Sequence, residues 1–158
     1  MAHHQPLRLV PAINTIKTLN KIYSKSEPGR LLHVIVDTNE PFENRLDLCE
    51  GKEWLQVSVL KLPPGKKVNP HLHQPRLPNP SAGPGITQEC WIVLRGEIKI
   101  RLFDLDHAPL HQQALTPGNM LVTFYGGHAL SCESPGALMI ECKNGPYLGR
   151  DYTTFEAV

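Results

Sequence analysis

Apolar residues near the start of the chain recur at steps of three and four positions. Between residues 13 and 26 they would form one stripe along a helix, and Pro28-Gly29 would end that helix. The stripe consists of Ile13, Ile16, Leu19, Ile22 and Tyr23. The pattern therefore predicts a short helix on an N-terminal arm that covers residues 1–30.

After residue 30 the pattern changes to short apolar or alternating stretches separated by prolines and glycines. Such stretches favour β-strands. We expect strands over residues 31–36, 54–62, 89–94, 97–103, 120–124, 129–132 and 137–142. Many short strands at this spacing predict an all-β sandwich, jelly roll or barrel, formed as one domain over residues 31–158.

One long stretch between the predicted strands has a different composition. Residues 74–85, QPRLPNPSAGPG, contain four prolines and two glycines, which excludes regular secondary structure. Long loops within compact domains are usually functional or disordered. We therefore predict a surface loop that can close like a lid over a bound molecule.

The overall composition narrows the class of protein. The chain has 158 residues, of which 41% are hydrophobic and 20% charged, and its net charge is +1. These values predict a globular protein and argue against nucleic acid as a partner. The first residues lack a signal peptide, and no apolar run is long enough for a membrane helix. The expectation is a cytoplasmic protein without a membrane partner, whose four cysteines are free thiols because none has Cys-x-x-Cys spacing.

Histidines and one glutamate form the candidate site. His71 and His73 are two residues apart, so on an extended chain they point to the same face and can converge on one metal ion. Glu89 opens the strand after the loop, and His128 follows a pair of glycines. Three imidazoles and one carboxylate suit a divalent transition metal such as Zn, Fe, Ni, Mn or Co, and the ligand types leave its identity open.

The spacing around these residues resembles that of the cupin family of small β-barrel proteins. Gly65 and Gly96 complete the order Gly-x5-His-x-His … Glu-x6-Gly, which is similar to the family's first motif. Residues 115–119 and 125–128 are similar to its second motif. The resemblance implies a jelly-roll barrel, or double-stranded β-helix, with one metal ion inside. The ligands implied by it are His71, His73, Glu89 and His128.

A narrower resemblance covers residues 60–65, 90–104 and 140–147. These segments are similar to small single-domain cupin metalloproteins linked to bacterial surface-polysaccharide or sugar-nucleotide pathways. That resemblance implies a small polar or sugar-like molecule as substrate or ligand. Cupins commonly pair, and symmetric dimers are the usual oligomers, so a homodimer is expected.

The role of Glu89 is open at this point. It can ligate the metal, or it can lie near the metal without binding it and act as a catalytic general base. The third alternative is an ordinary strand carboxylate paired with a lysine or arginine. Because Glu89 shares strand parity with Trp91 and Val93, we favour ligation. Trp54 and Trp91 are interpreted as core or pocket wall, and Cys132 as a small buried residue.

Three kinds of function fit these observations. The first is a metal-dependent enzyme, of isomerase, epimerase or dioxygenase type. The second is a module that binds a small ligand or senses a metal without turnover. The third is an interaction protein whose N-terminal arm contributes to a dimer interface. Lys99 and Arg101 share one strand face, which is interpreted as solvated, the alternative being contact with an anionic substrate group.

Overall fold

The computed structural model of the protein describes residues 19–76, 85–133, 135–147 and 149–156, and within them all regular structure is β. Extended segments end at turns rich in glycine and proline, as the sequence pattern predicts. The strands are β1 (Leu19–Tyr23), β2 (Leu31–Val36), β3 (Arg45–Asp47), β4 (Leu55–Leu62), β5 (Lys67–His73), β6 (Glu89–Arg95), β7 (Ile98–Phe103), β8 (Pro109–Leu115), β9 (Met120–Thr123), β10 (Gly127–Ser131), β11 (Ala137–Asn144) and β12 (Tyr152–Thr154).

Ten of these strands form two five-stranded antiparallel sheets. Their orders are β12-β5-β10-β7-β8 and β3-β4-β11-β6-β9, and β1 pairs separately with β2. From β4 onwards most strands that are consecutive in sequence, such as β4 and β5, lie in different sheets, so the chain crosses repeatedly between the two layers; β3 with β4 and β7 with β8 instead pair within one sheet. This arrangement is a jelly roll, and the predicted all-β fold is confirmed.

The core lies between the two sheets because strand residues alternate between an apolar and a polar side. On β7, Ile98 and Ile100 are buried, whereas Arg101 is exposed. On β6, Trp91 and Val93 are buried at the same parity. The buried cluster draws on both sheets and contains Leu62, Trp91, Val93, Ile98, Ile100, Leu115, Leu130, Cys132, Ala137 and Met139.

The turn between β6 and β7 requires glycine at position 96. Gly96 has φ +74°, and a Cβ at this position would lie 2.2 Å from the carbonyl oxygen of Gly136. The left-handed backbone disfavours any other residue, and the close approach leaves no space for a side chain. The glycine at the end of the first motif therefore lets the β6–β7 turn pack closely against the segment that precedes β11.

The predicted N-terminal helix is wrong where the structure describes it. Residues 19–23 form strand β1, which pairs with β2 from Leu19 opposite Val36 to Tyr23 opposite Leu31. Asparagine, isoleucine and tyrosine are middling helix formers, and pairing with β2 satisfies the backbone groups of this segment. Residues 13–18 of the predicted helix lie outside the described residues. The division of the chain at residue 30 stays a prediction.

The predicted loop is described only at its two ends. Residues 74–76 and 85–88 contain no strand, and the backbone amide of Arg76 donates to the carbonyl oxygen of Gly85. Residues 77–84, which carry most of the predicted lid, lie outside the described residues. Within the described ranges, no helix has the length and hydropathy that a membrane span requires.

Candidate metal centre

The four candidate ligands meet between the two sheets. His71 and His73 are on β5, and His128 is on the neighbouring strand β10, directly opposite His71. Glu89 begins β6 of the other sheet. All four side chains are buried, and each offers a ligand atom within 4.8 Å of those of the others. The structure therefore brings together the residues that the motif spacing selected.

Each histidine is oriented by a contact at its Nδ1 atom. The Nδ1 of His71 is 2.9 Å from the carbonyl oxygen of Asn69, and that of His128 is 3.4 Å from the carbonyl oxygen of Gly126. The Nδ1 of His73 is 3.2 Å from Asp151 Oδ1. Oxygens of this kind only accept hydrogen bonds, so Nδ1 donates and the neutral imidazole leaves its lone pair on Nε2.

The Nε2 atoms of two of these rings face the carboxylate of Glu89. His73 Nε2 lies 3.3 Å from Glu89 Oε1, and His128 Nε2 lies 3.3 Å from Glu89 Oε2. Both nitrogens are buried without a hydrogen-bond partner. Lone pairs on nitrogen and on a carboxylate do not hydrogen-bond to each other, and buried acceptors without a donor are costly. A cation placed among them would satisfy all of these atoms.

Glu89 is held in its ionised form. Burial by itself would raise the pKa of this carboxyl group, but the adjacent rings of His128 and His73, which donate to the carboxylate and attract it when they are protonated, outweigh burial and lower the pKa. A carboxylate that is already deprotonated gives up no proton when a metal ion binds. Glu89 is therefore available as an anionic ligand.

The histidines differ in how readily they carry a proton. Burial, with repulsion from His128, lowers the pKa of His71 to about 4. Burial also lowers the pKa of His73, but the Glu89 carboxylate, to which the protonated ring can donate, and the charge of Asp151 outweigh burial, so its pKa is raised overall. His71 is thus neutral and ready to ligate at pH 7, whereas His73 competes for a proton in the metal-free protein.

Asp151 connects His73 to a second set of polar groups. Its Oδ2 accepts from Arg76 Nε at 3.0 Å and from the hydroxyl of Thr87. The guanidinium of Arg76 also donates to the carbonyl oxygens of Asn144, Gly145 and Pro146. Sequence reasoning missed Asp151, which follows His73 by 78 positions and belongs to neither motif.

A cavity of about 660 Å³ opens onto the candidate ligands. His71, His73 and Glu89 line it together with the indole of Trp91 and residues from both sheets. A volume of this size is typical of sites that enclose a small molecule. The site therefore has room for a ligand beside the four buried side chains.

The remaining sequence predictions have different outcomes. Trp91 lies at the site, with its ring 5.0 Å from that of His128 at 85°, and Cys132 is a buried core residue. Trp54 is 43% exposed in the turn before β4, so its assignment to the core or pocket wall is wrong. Lys99 pairs with Glu133 at 2.5 Å, and Arg101 is exposed, so both belong to a solvated face outside the cavity.

Several solved structures have a similar fold. Oxalate decarboxylase from Bacillus subtilis matches with a TM-score of 0.51 at 13% identity, over 66% of this chain and 24% of that one. KdgF from Halomonas sp. has a TM-score of 0.49 at 18% identity, over 63% of this chain and 77% of that one. A recombinant oxalate oxidase in complex with glycolate has a TM-score of 0.47 at 19% identity, over 63% and 45%.

These likenesses are informative about the fold alone. The chain spans about a quarter of the length of the oxalate decarboxylase that it matches, and identities this low do not transfer an activity. The sequence matches no protein-family model and no curated protein. The chemistry of the site has to be argued from its own residues.

Proposed function

We propose that this protein, which has the cupin fold, binds one divalent transition-metal ion through His71, His73, Glu89 and His128 and acts as a metal-dependent enzyme on a small polar molecule. The chemistry of the donor atoms supports this assignment, because three imidazole nitrogens and one carboxylate are a common ligand set for Zn, Fe, Mn and Ni.

One observation carries the proposal. The Nε2 atoms of His73 and His128 are buried, lack hydrogen-bond partners and face the two oxygens of Glu89 at 3.3 Å each. Their Nδ1 atoms already donate elsewhere. When both imidazoles are neutral, each Nε2 lone pair therefore faces a carboxylate oxygen, and neither atom can donate a hydrogen bond to the other. Burying such a group is unfavourable unless a cation binds in it. The residues therefore fit a metal ion.

In a metal-dependent enzyme, the residues around the site would have different roles. The histidines and Glu89 hold the ion, and Trp91 with the neighbouring core excludes water from one side of the site. A metal ion bound there would polarise an oxygen atom of a bound molecule. The cavity beside Glu89 then places that molecule next to the ligand set.

The geometry favours ligation over a separate general-base role for Glu89. Both of its carboxylate oxygens face imidazole nitrogens of the cluster, and the side chain is 6% exposed. A general base needs an oxygen free to meet the substrate's proton. Glu89 is thus proposed as the anionic ligand.

The substrate class and the reaction type are drawn from the sequence resemblance. A sugar-like substrate, a cytoplasmic location, a homodimer and a place in polysaccharide biosynthesis stay predictions. An isomerase or epimerase and a dioxygenase both use a metal ion that holds substrate oxygens. These activities define the panel of reactions to be assayed.

Metal analysis of protein purified without chelator tests the proposal. We expect about one equivalent of a transition metal per chain, and less than about a tenth of an equivalent would contradict the proposal. His71→Ala should reduce the metal content, whereas His111→Ala, at an exposed histidine on β8, should leave it unchanged. Metal-dependent turnover of sugars or keto acids would support an enzyme, and tight ligand binding without product would instead indicate a binding module.

A further inference from the structure

Lys143 on β11 faces the candidate metal centre. It lies directly opposite Glu89 in the antiparallel pairing of β11 with β6, and residues opposite each other project from the same face of a sheet. Ala137 and Met139 share the strand parity of Lys143 and are buried in the core. The Lys143 side chain therefore enters the interior, and it lines the same cavity as His71 and His73.

The ammonium group of Lys143 lacks close acceptors. Its Nζ lies 3.9 Å from Glu89 Oε1 and 3.7 Å from Glu141 Oε1, which are ion-pair distances too long for hydrogen bonds. Within the described part of the chain, the contacts of Nζ include no oxygen at hydrogen-bond distance. An ammonium has three N–H donors, and the Lys143 side chain is only 20% exposed. The group thus has donors available inside the cavity.

Both carboxylates near Lys143 also contact other side chains. Glu141 accepts a hydrogen bond from Arg45 Nη2 at 3.1 Å, and Glu89 faces His73 and His128. If Glu89 ligates a metal ion, its charge is further neutralised. Lys143 then shares the charge of Glu141 with Arg45 and has the Tyr147 ring 5.6 Å away, so its ammonium group can still bind a further anion.

The charges along the cavity wall also favour an anion. Among the described residues that line it, five are positively charged and three are negatively charged. A divalent ion in the site would increase the positive excess. Clefts in which one sign of charge predominates concentrate ligands of the opposite sign. The positive residues are Arg45, Lys61, Lys66, Lys67 and Lys143, and the negative residues are Glu89, Glu141 and Asp151.

We propose that Lys143 binds an anionic oxygen group of the small molecule that enters this cavity, so that the substrate or ligand carries a carboxylate or a phosphate. The inference rests on the proposed metal function and adds the charge class of the molecule to it. Lys143 takes the role that the sequence analysis considered for Lys99 and Arg101, since both of those residues lie outside the cavity. Lys143 is a specificity-determining residue in this proposal.

Binding of simple anions to the metal-loaded protein tests the inference. Metal content is measured first, and calorimetric titrations with malonate, methyl phosphate and the neutral malonamide follow. We expect at least one anion to bind about tenfold or more tighter than malonamide. The stronger of the two anions identifies the carboxylate or the phosphate as the recognised group.

Matched variants assign the effect to Lys143. Lys143→Met should weaken the preferred anion about tenfold or more at unchanged metal content, whereas Lys143→Arg should retain most of the affinity because it keeps the charge. Lys99→Met removes the same charge outside the cavity and should bind the anion as the wild type does. If Lys143→Met does not fold, Lys143→Gln replaces it.

The possible outcomes separate this inference from the proposed function. Metal bound at about one equivalent with equal affinity for malonate and malonamide, or with no anion binding, overturns the role of Lys143 alone. Unchanged anion affinity in Lys143→Met does the same. A protein that takes up no metal overturns the proposed function and this inference with it.

Discussion

Asp151 Oδ1 lies 3.2 Å from His73 Nδ1, and this contact links the C-terminal segment of the chain to the candidate metal centre. The strand that follows, β12, pairs with β5, where Tyr152 lies opposite His73. The carboxylate holds the imidazole with Nε2 directed towards Glu89. Carboxylates that accept from a ligating histidine set its tautomer and orientation and raise its basicity. Asp151 is therefore a positioning residue for the ligand set.

Replacing Asp151 should weaken metal binding. Asp151→Asn removes the charge that favours donation from His73 and that pairs with Arg76, so we expect metal affinity to fall about 10- to 100-fold. Competition with a chromophoric chelator measures this change. Asp106→Asn, in an exposed turn, is the matched control and should bind metal as the wild type does. Equal affinities in the wild type and Asp151→Asn would show that the contact does not position the ring.

Glu89→Gln should weaken metal binding without destabilising the metal-free protein. The amide has nearly the shape of the carboxylate but no charge, so we expect metal affinity to fall by more than tenfold. The metal-free variant should unfold at a midpoint close to that of the metal-free wild type, since the amide can donate to an imidazole nitrogen. Denaturant titrations and metal analysis measure the two properties. Full metal content with loss of turnover would instead assign Glu89 as a general base.

The sequence pattern predicts six strands of the two sheets, but it does not predict β3, β5, β8 or β12, nor which strands pair. Alternation identifies β4 and β7, short apolar stretches identify β6 and β11, and motif spacing identifies the four candidate ligands. The roles of Asp151 and Lys143 depend on which strands pair across the fold, and no local pattern records that pairing. The few apolar residues of β1 also fit a helical stripe, so the pattern predicts a helix there, whereas pairing with β2 decides its conformation. Non-local contacts account for each of these misses.

Gly96→Ala should destabilise the protein more than a comparable change at Gly29. Both glycines have positive φ, but a Cβ at position 29 would meet open space, whereas one at position 96 would meet backbone at 2.2 Å. We expect a loss of about 1–2 kcal/mol at Gly29 from backbone strain and about 2–4 kcal/mol at Gly96, where overpacking is added. Urea unfolding of both variants compares the two losses. Similar losses would contradict the close packing of the β6–β7 turn.

Metal binding should release protons in a pH-dependent manner. Contacts of His73 with Glu89 and Asp151 raise its pKa in the metal-free protein, so His73 carries a proton below that raised pKa and has lost it above. A metal ion must displace this proton, because Nε2 cannot hold both. Apparent metal affinity should therefore rise with pH up to the pKa of His73 and then level off. His71, with a pKa of about 4, contributes little above pH 6.

Calorimetric titration in two buffers of different protonation enthalpy measures this release. We expect proton release to be largest below the raised pKa of His73 and to decline as the pH rises through it. Asp151→Asn removes one of the causes that raise this pKa, so its release should decline at lower pH than in the wild type. A release that does not vary with pH would show that His73 gives up no proton to the metal, and a decline unshifted in Asp151→Asn would show that this carboxylate does not control the protonation of the ring.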